Sequence, residues 1–342
     1  MLPTLTSRDI EEGMRSYIER EFPVATTAFR PEGRSIVEHF LENPENLVKG
    51  PWLEIRRPFR KSDGVLADFL PVLAGELGVL SGFEPHRHQA RAFERLVYPN
   101  PRSTIVATGT GSGKTECFLL PVLDAVLAMK KDGIEGIKAI VVYPMNALAT
   151  DQAKRLAELC HAVRQAGGPG ITAGLYTGAP GNVCRTMEEN SCITDRETLR
   201  RTPPDILLTN YKMLDYLLLR EEDRALWRTT TARSLRYLVV DELHTFDGAQ
   251  GTDLACLIRR LRDRLDLGEG LACVGTSATL GGGDGLERLQ QYASDVFGAD
   301  FSSPESVITE DRLGTVEYLE SFGDAKWAGD WPTLYEAKRL AT

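Results

Sequence analysis

The sequence predicts an α/β protein: a parallel sheet flanked on both faces by helices, preceded by a mainly helical N-terminal extension. Two observations carry that expectation. Six short runs between about residues 100 and 280 (STIVAT, IKAIVVYP, ITAGLYTG, PDILLTN, RYLVVDE and LACVGTSAT) are apolar throughout rather than alternating, as strands covered on both faces are. Amphipathic segments near 113–131, 147–166, 211–220 and 251–265 separate most of them, and a strand–helix alternation of this kind builds a parallel sheet by successive crossovers. With 342 residues, 42% hydrophobic and 26% charged, the chain can bury a core of that size.

The elements follow in order. Thr6 and Asp9 fit a capping box, after which Ile10, Met14, Tyr17 and Ile18 mark one helical face until Phe22-Pro23 stops it. KGPWLEIRRPFRK reads as an extended strap whose five basic residues suit a soluble surface or a nucleic acid. In the segment 251–265, Leu254, Leu257, Ile258, Leu261 and Leu265 share one helical side. Arg259, Arg260, Arg262 and Arg264 fall on the other, as a solvated face or a track for a phosphate backbone. A glycine-rich break follows residue 280, then a helix from Leu286 to Phe297 and a polar tail. Three regions are expected: an accessory extension over 1–80, the α/β domain over 81–282 and a connector over 283–342.

The formal net charge of −9 excludes a broad basic field, so any nucleic-acid contact must be local. The longest apolar stretch, FLLPVLDAVLAM, is twelve residues long and carries Pro121 and Asp124, too short and too polar to cross a bilayer. A soluble, cytoplasmic protein with no membrane partner is expected. Six cysteines without a CxxC pair, Cys184 and Cys192 among them, read as reduced structural thiols.

The chemistry begins at TGTGSGKT, residues 108–115, between a strand and a helix. Glycines let backbone N–H groups close around phosphates, and a helix N-terminus favours negative charge. Thr110, Gly111, Ser112 and Gly113 would form that cradle. Lys114 would reach the β- and γ-phosphates and the Thr115 hydroxyl would complete the shell of a Mg²⁺ ion. Thr108 stands where the strict pattern has glycine, and a ligand-free glycine-rich turn is the alternative. LVVDELH at 238–244 ends an apolar strand in two acids. Asp241 would hold Mg²⁺ and Glu242 would orient or deprotonate the attacking water, or the two would simply be a helix N-terminal pair.

Across residues 83–280 the chain resembles the DEAD/DEAH-type helicases of superfamily 2. TGTGSGKT is similar to their motif I, Asp241-Glu242-Leu243-His244 to motif II in its DExH variant, and Thr276-Ser277-Ala278-Thr279 to motif III. The resemblance implies a RecA-like lobe, ATP and Mg²⁺ as cofactors, and a nucleic-acid partner, DNA in preference to RNA. It places Gln89, after His88, in the adenine-reading Q motif, and His244 beside the nucleotide. It implies strand contacts from Pro144 and Asn146 in YPMNALATDQ, from Thr177 and Gly178, and from Thr209 and Asn210 in LTNYKML. Ser277 and Thr279 would couple nucleotide state to strand grip. Hydroxyls and amides such as those of Thr209 and Asn210 hold phosphates without adding charge, which suits an acidic chain. The DELH box, the LTNYKML phrase and the N-terminal strap look most like large bacterial repair or defence helicases with extended N-termini.

Such helicases hydrolyse ATP between two lobes, the second donating arginines. After residue 280 no QxxGRxxR-like motif occurs. The expectation is therefore one lobe plus a connector, from a truncated or split helicase, which binds Mg-ATP but turns over well only when a second polypeptide supplies the other lobe. The alternative is an ATP-gated nucleic-acid or partner clamp with little turnover.

Overall fold

The computed structural model of the chain describes residues 57–178, 183–278 and 283–320, together with helical positions 9, 10, 12–14, 16, 17, 20 and 21. Ile10, Met14 and Tyr17 are helical and exposed. Thr6, Ile18, the Phe22-Pro23 stop, the strap before Arg57, and Thr279 lie outside the described residues. Met1–Arg57 and Pro58–Thr342 form two separate compact units.

Seven parallel strands make one sheet: β1 (Thr104–Ala107), β2 (Ala139–Tyr143), β3 (Ala173–Tyr176), β4 (Ile206–Asn210), β5 (Tyr237–Val240), β6 (Ala272–Ser277) and β7 (Val307–Thr309). Their spatial order is β3-β4-β2-β5-β6-β1-β7. The first six are the six apolar runs. Alternate side chains enter opposite layers: Ala139, Val141, Val239 and Val274 pack on one face, Ile140, Val142, Leu238 and Cys273 on the other. Both layers are apolar, which is why no period of two shows in the sequence.

Helices α1 (Arg87–Leu96), α2 (Lys114–Lys131) and α3 (Asn146–Gln165) cover the first face. The other carries α5 (Tyr211–Leu219), α6 (Gly248–Arg264) and α7 (Gly283–Phe297), while α4 (Arg196–Arg201) and α8 (Thr315–Glu320) are short. The arginines of α6 are engaged by the protein. Arg259 bonds Asp295 O, Arg260 pairs with Asp215, Arg262 bonds Gly268 O, and Arg264 bonds Leu218 O. They fasten α6 to its neighbours instead of forming an open track for a phosphate backbone.

Besides α1 and α4, two further pieces of the fold escaped the sequence reading. Leu66, Leu70 and Leu73 are buried in the first layer, and Asp124 Oδ1 inside α2 accepts Val72 N at 2.9 Å and Leu73 N at 2.7 Å. The segment from Pro58 is thereby part of the same unit as the sheet. The i, i+4, i+7 spacing of those leucines was the available signal. β7 adds a strand beside β1, with Ala107 opposite Thr309. Three residues flanked by polar ones are too few for a pattern to register.

Candidate active site

β5, β6 and β1 are neighbours, with Val240 opposite Gly275 and Ala107 opposite Ser277. The loop after β1, the acids after β5 and the end of β6 therefore emerge side by side at the carboxyl edge, the usual ligand position of open α/β sheets.

In the 108–115 loop, Gly111 and Gly113 are left-handed, at φ +77° and +80°. A Cβ on Gly113 would stand 2.3 Å from Gln89 Nε2. Thr108 is buried and its Oγ1 meets Ser112 Oγ at 2.7 Å, closing the base of the loop by a hydroxyl pair. That bond gives the non-glycine first position a structural use. Behind the loop, His88 Nε2 lies 2.8 Å from Ser112 O, and burial lowers the His88 pKa. The ring is therefore read as neutral, donating from Nε2.

Gln89 lines the loop's cavity, yet its amide is used by the chain: Oε1 accepts His86 N at 2.9 Å and Nε2 donates to Gly113 O at 3.4 Å. In this arrangement it braces the loop, and adenine reading would require these bonds to be exchanged. The cavity is about 690 Å³ and takes in Thr110 to Thr115, Phe83, Arg155 and Glu242. Lys114 and Thr115 open α2 beside it.

Lys114 Nζ stands 3.4 Å from Glu242 Oε1. Glu242 itself is left-handed at φ +50°, ψ +49°, a strained setting for a residue with a side chain. Thr276 organises both acids. It is fully buried, accepts Glu242 N on Oγ1 at 2.9 Å, and donates to Asp241 Oδ1. Burial pushes the Asp241 carboxyl above its ordinary range, with the Thr276 bond and the Lys114 charge pulling the other way. A buried carboxylate in that state gains from a bound cation. Thr276 was visible as the first letter of TSAT, but its role depends on the β5–β6 register.

His244 does not line the cavity. Its Nδ1 lies 3.4 Å from Glu242 Oε2, from Ser277 Oγ and from Ala278 N, tying the DELH segment to the end of β6.

The expected strand-contacting residues fall at the edges of β2, β4 and β3. Asn146, just after Pro144, accepts Asn210 Nδ2 at 2.6 Å, and Asn210 Oδ1 caps α5 by accepting Met213 N at 2.7 Å. Thr177 is half-buried and Gly178 exposed at the end of β3. Thr177 lines a second cavity of about 680 Å³ together with Lys154, Arg196 and Arg200. Thr209 corrects the expectation: it is fully buried and its hydroxyl donates to Tyr176 O at 2.7 Å, locking β4 to β3. It has no face for a phosphate.

Comparisons with known proteins place the fold and the family. Druantia protein DruE of Escherichia coli is 25% identical over 86% of this chain and 21% of its own length. An uncharacterized ATP-dependent helicase of Methanocaldococcus jannaschii, MJ1574, is 28% identical over 64% of this chain and 28% of its own length. The chain thus spans less than a third of either relative. Among solved structures, the DUF1998 helicase MrfA bound to DNA and AMPPNP superposes with a TM-score of 0.53 at 24% identity, over 77% of this chain and 31% of that one. The DEAD-box helicase Mss116 bound to ssRNA and UDP-BeF gives 0.52 at 16% identity, over 75% and 47%. These two show a shared fold, the RecA-like helicase lobe. The family model described as DEAD/DEAH box helicase matches residues 86–285, more than half of the chain and every residue of the site named above except Phe83, and the chain belongs to the DEAD/DEAH box helicase family.

Proposed function

We propose that this chain is the Mg-ATP-binding and hydrolysing lobe of a helicase or translocase that acts on nucleic acid, DNA in preference to RNA. One observation carries the reading: from three adjacent strand ends, Lys114 and Glu242 meet at the edge of one cavity, and Thr276 ties Glu242 to the buried Asp241 behind it. The residues fit the group. The left-handed loop leaves open space at Gly111, a lysine lies at a helix start, and the Asp241 carboxyl is buried beside them.

Bound Mg-ATP would supply the phosphoanhydride bond and the divalent ion that screens its charge. Lys114 and the loop amides would bind the phosphates, Thr115 Oγ1 and Asp241 would hold the ion, and Glu242 would take the proton of the attacking water. The Lys114–Glu242 pair is long at 3.4 Å, so the ammonium can turn to the phosphates and free the carboxylate to act as base. Thr276 keeps both acids oriented through one hydroxyl. A clamp without turnover has no use for Glu242 at that position, which favours the enzyme reading. Asn146, Asn210, Thr177 and Gly178 offer a strand-binding edge, while His244 and Ser277 tie the acids to the end of β6. A second ATPase lobe, in the same or another polypeptide, completes the engine, consistent with relatives several times longer. The three-part organisation into an extension, a lobe and a connector belongs to this proposal.

The test is steady-state ATP hydrolysis with Mg²⁺, with and without single-stranded DNA or RNA. Glu242→Gln is expected to lower kcat on the order of 100-fold or more with KM little changed. Turnover insensitive to Glu242→Gln overturns the assignment of the base, and stimulation by RNA alone overturns the DNA preference.

A further inference from the structure

The 108–115 loop is also gripped from a side that none of the sequence motifs covers. β7 lies beside β1 in register, so the chain leaving β7 runs past the loop leaving β1. The first residue beyond β7, Glu310, accepts Gly109 N on Oε2 at 3.1 Å. Arg312 Nε closes on the same carboxylate at 2.9 Å. That hydrogen-bonded partner, together with the Gly109 amide, holds the Glu310 carboxyl below its ordinary range.

The contacts continue in a circuit. Arg312 Cζ sits 4.0 Å over the Phe59 ring, Phe59 packs edge-on against His88 at 5.2 Å, and His88 Nε2 reaches Ser112 O at 2.8 Å. A path that leaves the loop at the Gly109 amide thus returns to it at the Ser112 carbonyl. An outer frame fixes the circuit: Leu313 N bonds Pro58 O at 3.0 Å, Arg60 N bonds Asp311 O at 2.8 Å, and both Arg60 Nη atoms grip Glu317 at 2.6 and 2.7 Å.

Core packing does not demand this arrangement, because the Glu310 and Arg312 side chains keep 26% and 20% of their exposure. A lone carboxylate beside a phosphate-receiving loop would oppose the ligand. Paired with Arg312 it becomes an acceptor without net charge. A glycine-rich loop is costly to order, and external bonds that order it beforehand raise affinity by preorganisation.

We propose that Glu310 and His88 are positioning residues for nucleotide binding: they hold the 108–115 loop in its phosphate-receiving shape, so the segment after β7 and the end of the strap at 58–61 set the affinity of the site. This rests on the reading of the loop as the ATP site.

The experiment measures binding of a fluorescent, non-hydrolysable Mg-ATP analogue by the 342-residue chain and by its Lys114→Ala, Glu310→Ala, Glu310→Gln and His88→Ala variants, with melting temperature and amide exchange across 107–113 recorded alongside. Glu310→Ala and His88→Ala are each expected to weaken binding about tenfold and to speed exchange in the loop. Glu310→Gln, which keeps an acceptor for Gly109 N, should stay within about threefold of the parent chain. In turnover, the alanine variants raise KM and leave kcat in place. Unchanged affinity and exchange in Glu310→Ala, with Lys114→Ala inactive in binding, overturn this inference and spare the ATP reading. Affinity lost only in step with melting temperature, in Gln and Ala alike, marks Glu310 as structural and overturns it too. A parent chain that binds no nucleotide removes the ATP reading and this inference together.

Discussion

Thr276→Val is the substitution that exposes the logic of the acid pair. Valine matches threonine in shape, so the fully buried site keeps its packing and no cavity opens. What disappears is one hydroxyl with two duties: accepting Glu242 N at 2.9 Å and donating to Asp241 Oδ1. Each group left without a partner costs about 1–3 kcal/mol, so the variant is expected to be about 2–6 kcal/mol less stable, toward the lower end because water reaches half-buried Glu242. Function is affected separately. Without the donor, the Asp241 carboxyl moves further up, and Glu242 loses the bond that offsets its left-handed strain. Urea denaturation gives the stability term through the shift in midpoint at constant m. Steady-state hydrolysis at saturating Mg-ATP gives the other, with kcat falling at least about tenfold. A destabilisation below about 0.5 kcal/mol together with unchanged kcat refutes the claim that Thr276 organises the acids, since that is the size of an ordinary surface substitution.

Other outcomes follow from the same contacts. Asp205 is buried between Lys138 Nζ at 2.8 Å and Lys130 Nζ at 2.9 Å and accepts Thr172 N at 2.8 Å, so Asp205→Asn leaves Lys138 buried and unpaired and is expected to cost about 3–5 kcal/mol in chemical denaturation. Burial alone would raise the Asp205 pKa, but Lys138, Lys130 and the Thr172 amide together outweigh it and the carboxyl ends below its ordinary value. Its stabilising contribution is therefore present above the unfolded-state value near pH 4 and is lost as pH falls through the folded one, and Asp205→Asn should flatten that acid limb in a stability–pH titration. Gly113→Ala combines φ +80° with a Cβ 2.3 Å from Gln89 Nε2; Mg-ATP binding falls, and adding Gln89→Ala restores it only in part, because left-handed strain of about 1–2 kcal/mol persists. Thr209→Val should lower the melting temperature, at a cost of about 1–2 kcal/mol, without changing single-stranded DNA affinity, whereas Asn146→Ala should weaken that affinity in a fluorescence anisotropy titration.

The strands and long helices were legible because both-face burial and helical spacing write themselves into contiguous residues: β2 and β5 are apolar at every position, and α3 begins at Asn146 within one residue of its expected start. Lys114, Asp241 and Glu242 were legible for the same reason, each lying in a local motif. What stayed hidden depends on register between strands far apart in sequence. Thr209 looked available for a phosphate until the β3–β4 pairing set its hydroxyl on Tyr176 O. Thr276 is one of several small polar residues in its segment until β6 lies beside β5. Gln89 carried the right residue type at the right place, but its bonds to His86 and Gly113 are a three-dimensional fact. Glu310 sits 201 residues from the amide that it accepts, and no local pattern records such a contact.

The central claim, that Lys114 and Glu242 divide nucleotide grip from hydrolysis at one cavity, is tested most directly by equilibrium binding of a Mg-ATP analogue to three proteins. The parent chain and Glu242→Gln are expected to bind with equal affinity, and Lys114→Ala at least about tenfold more weakly, the worth of a charge-assisted phosphate contact. Equal affinity in all three would contradict the account, because it would place the nucleotide somewhere other than the 108–115 loop.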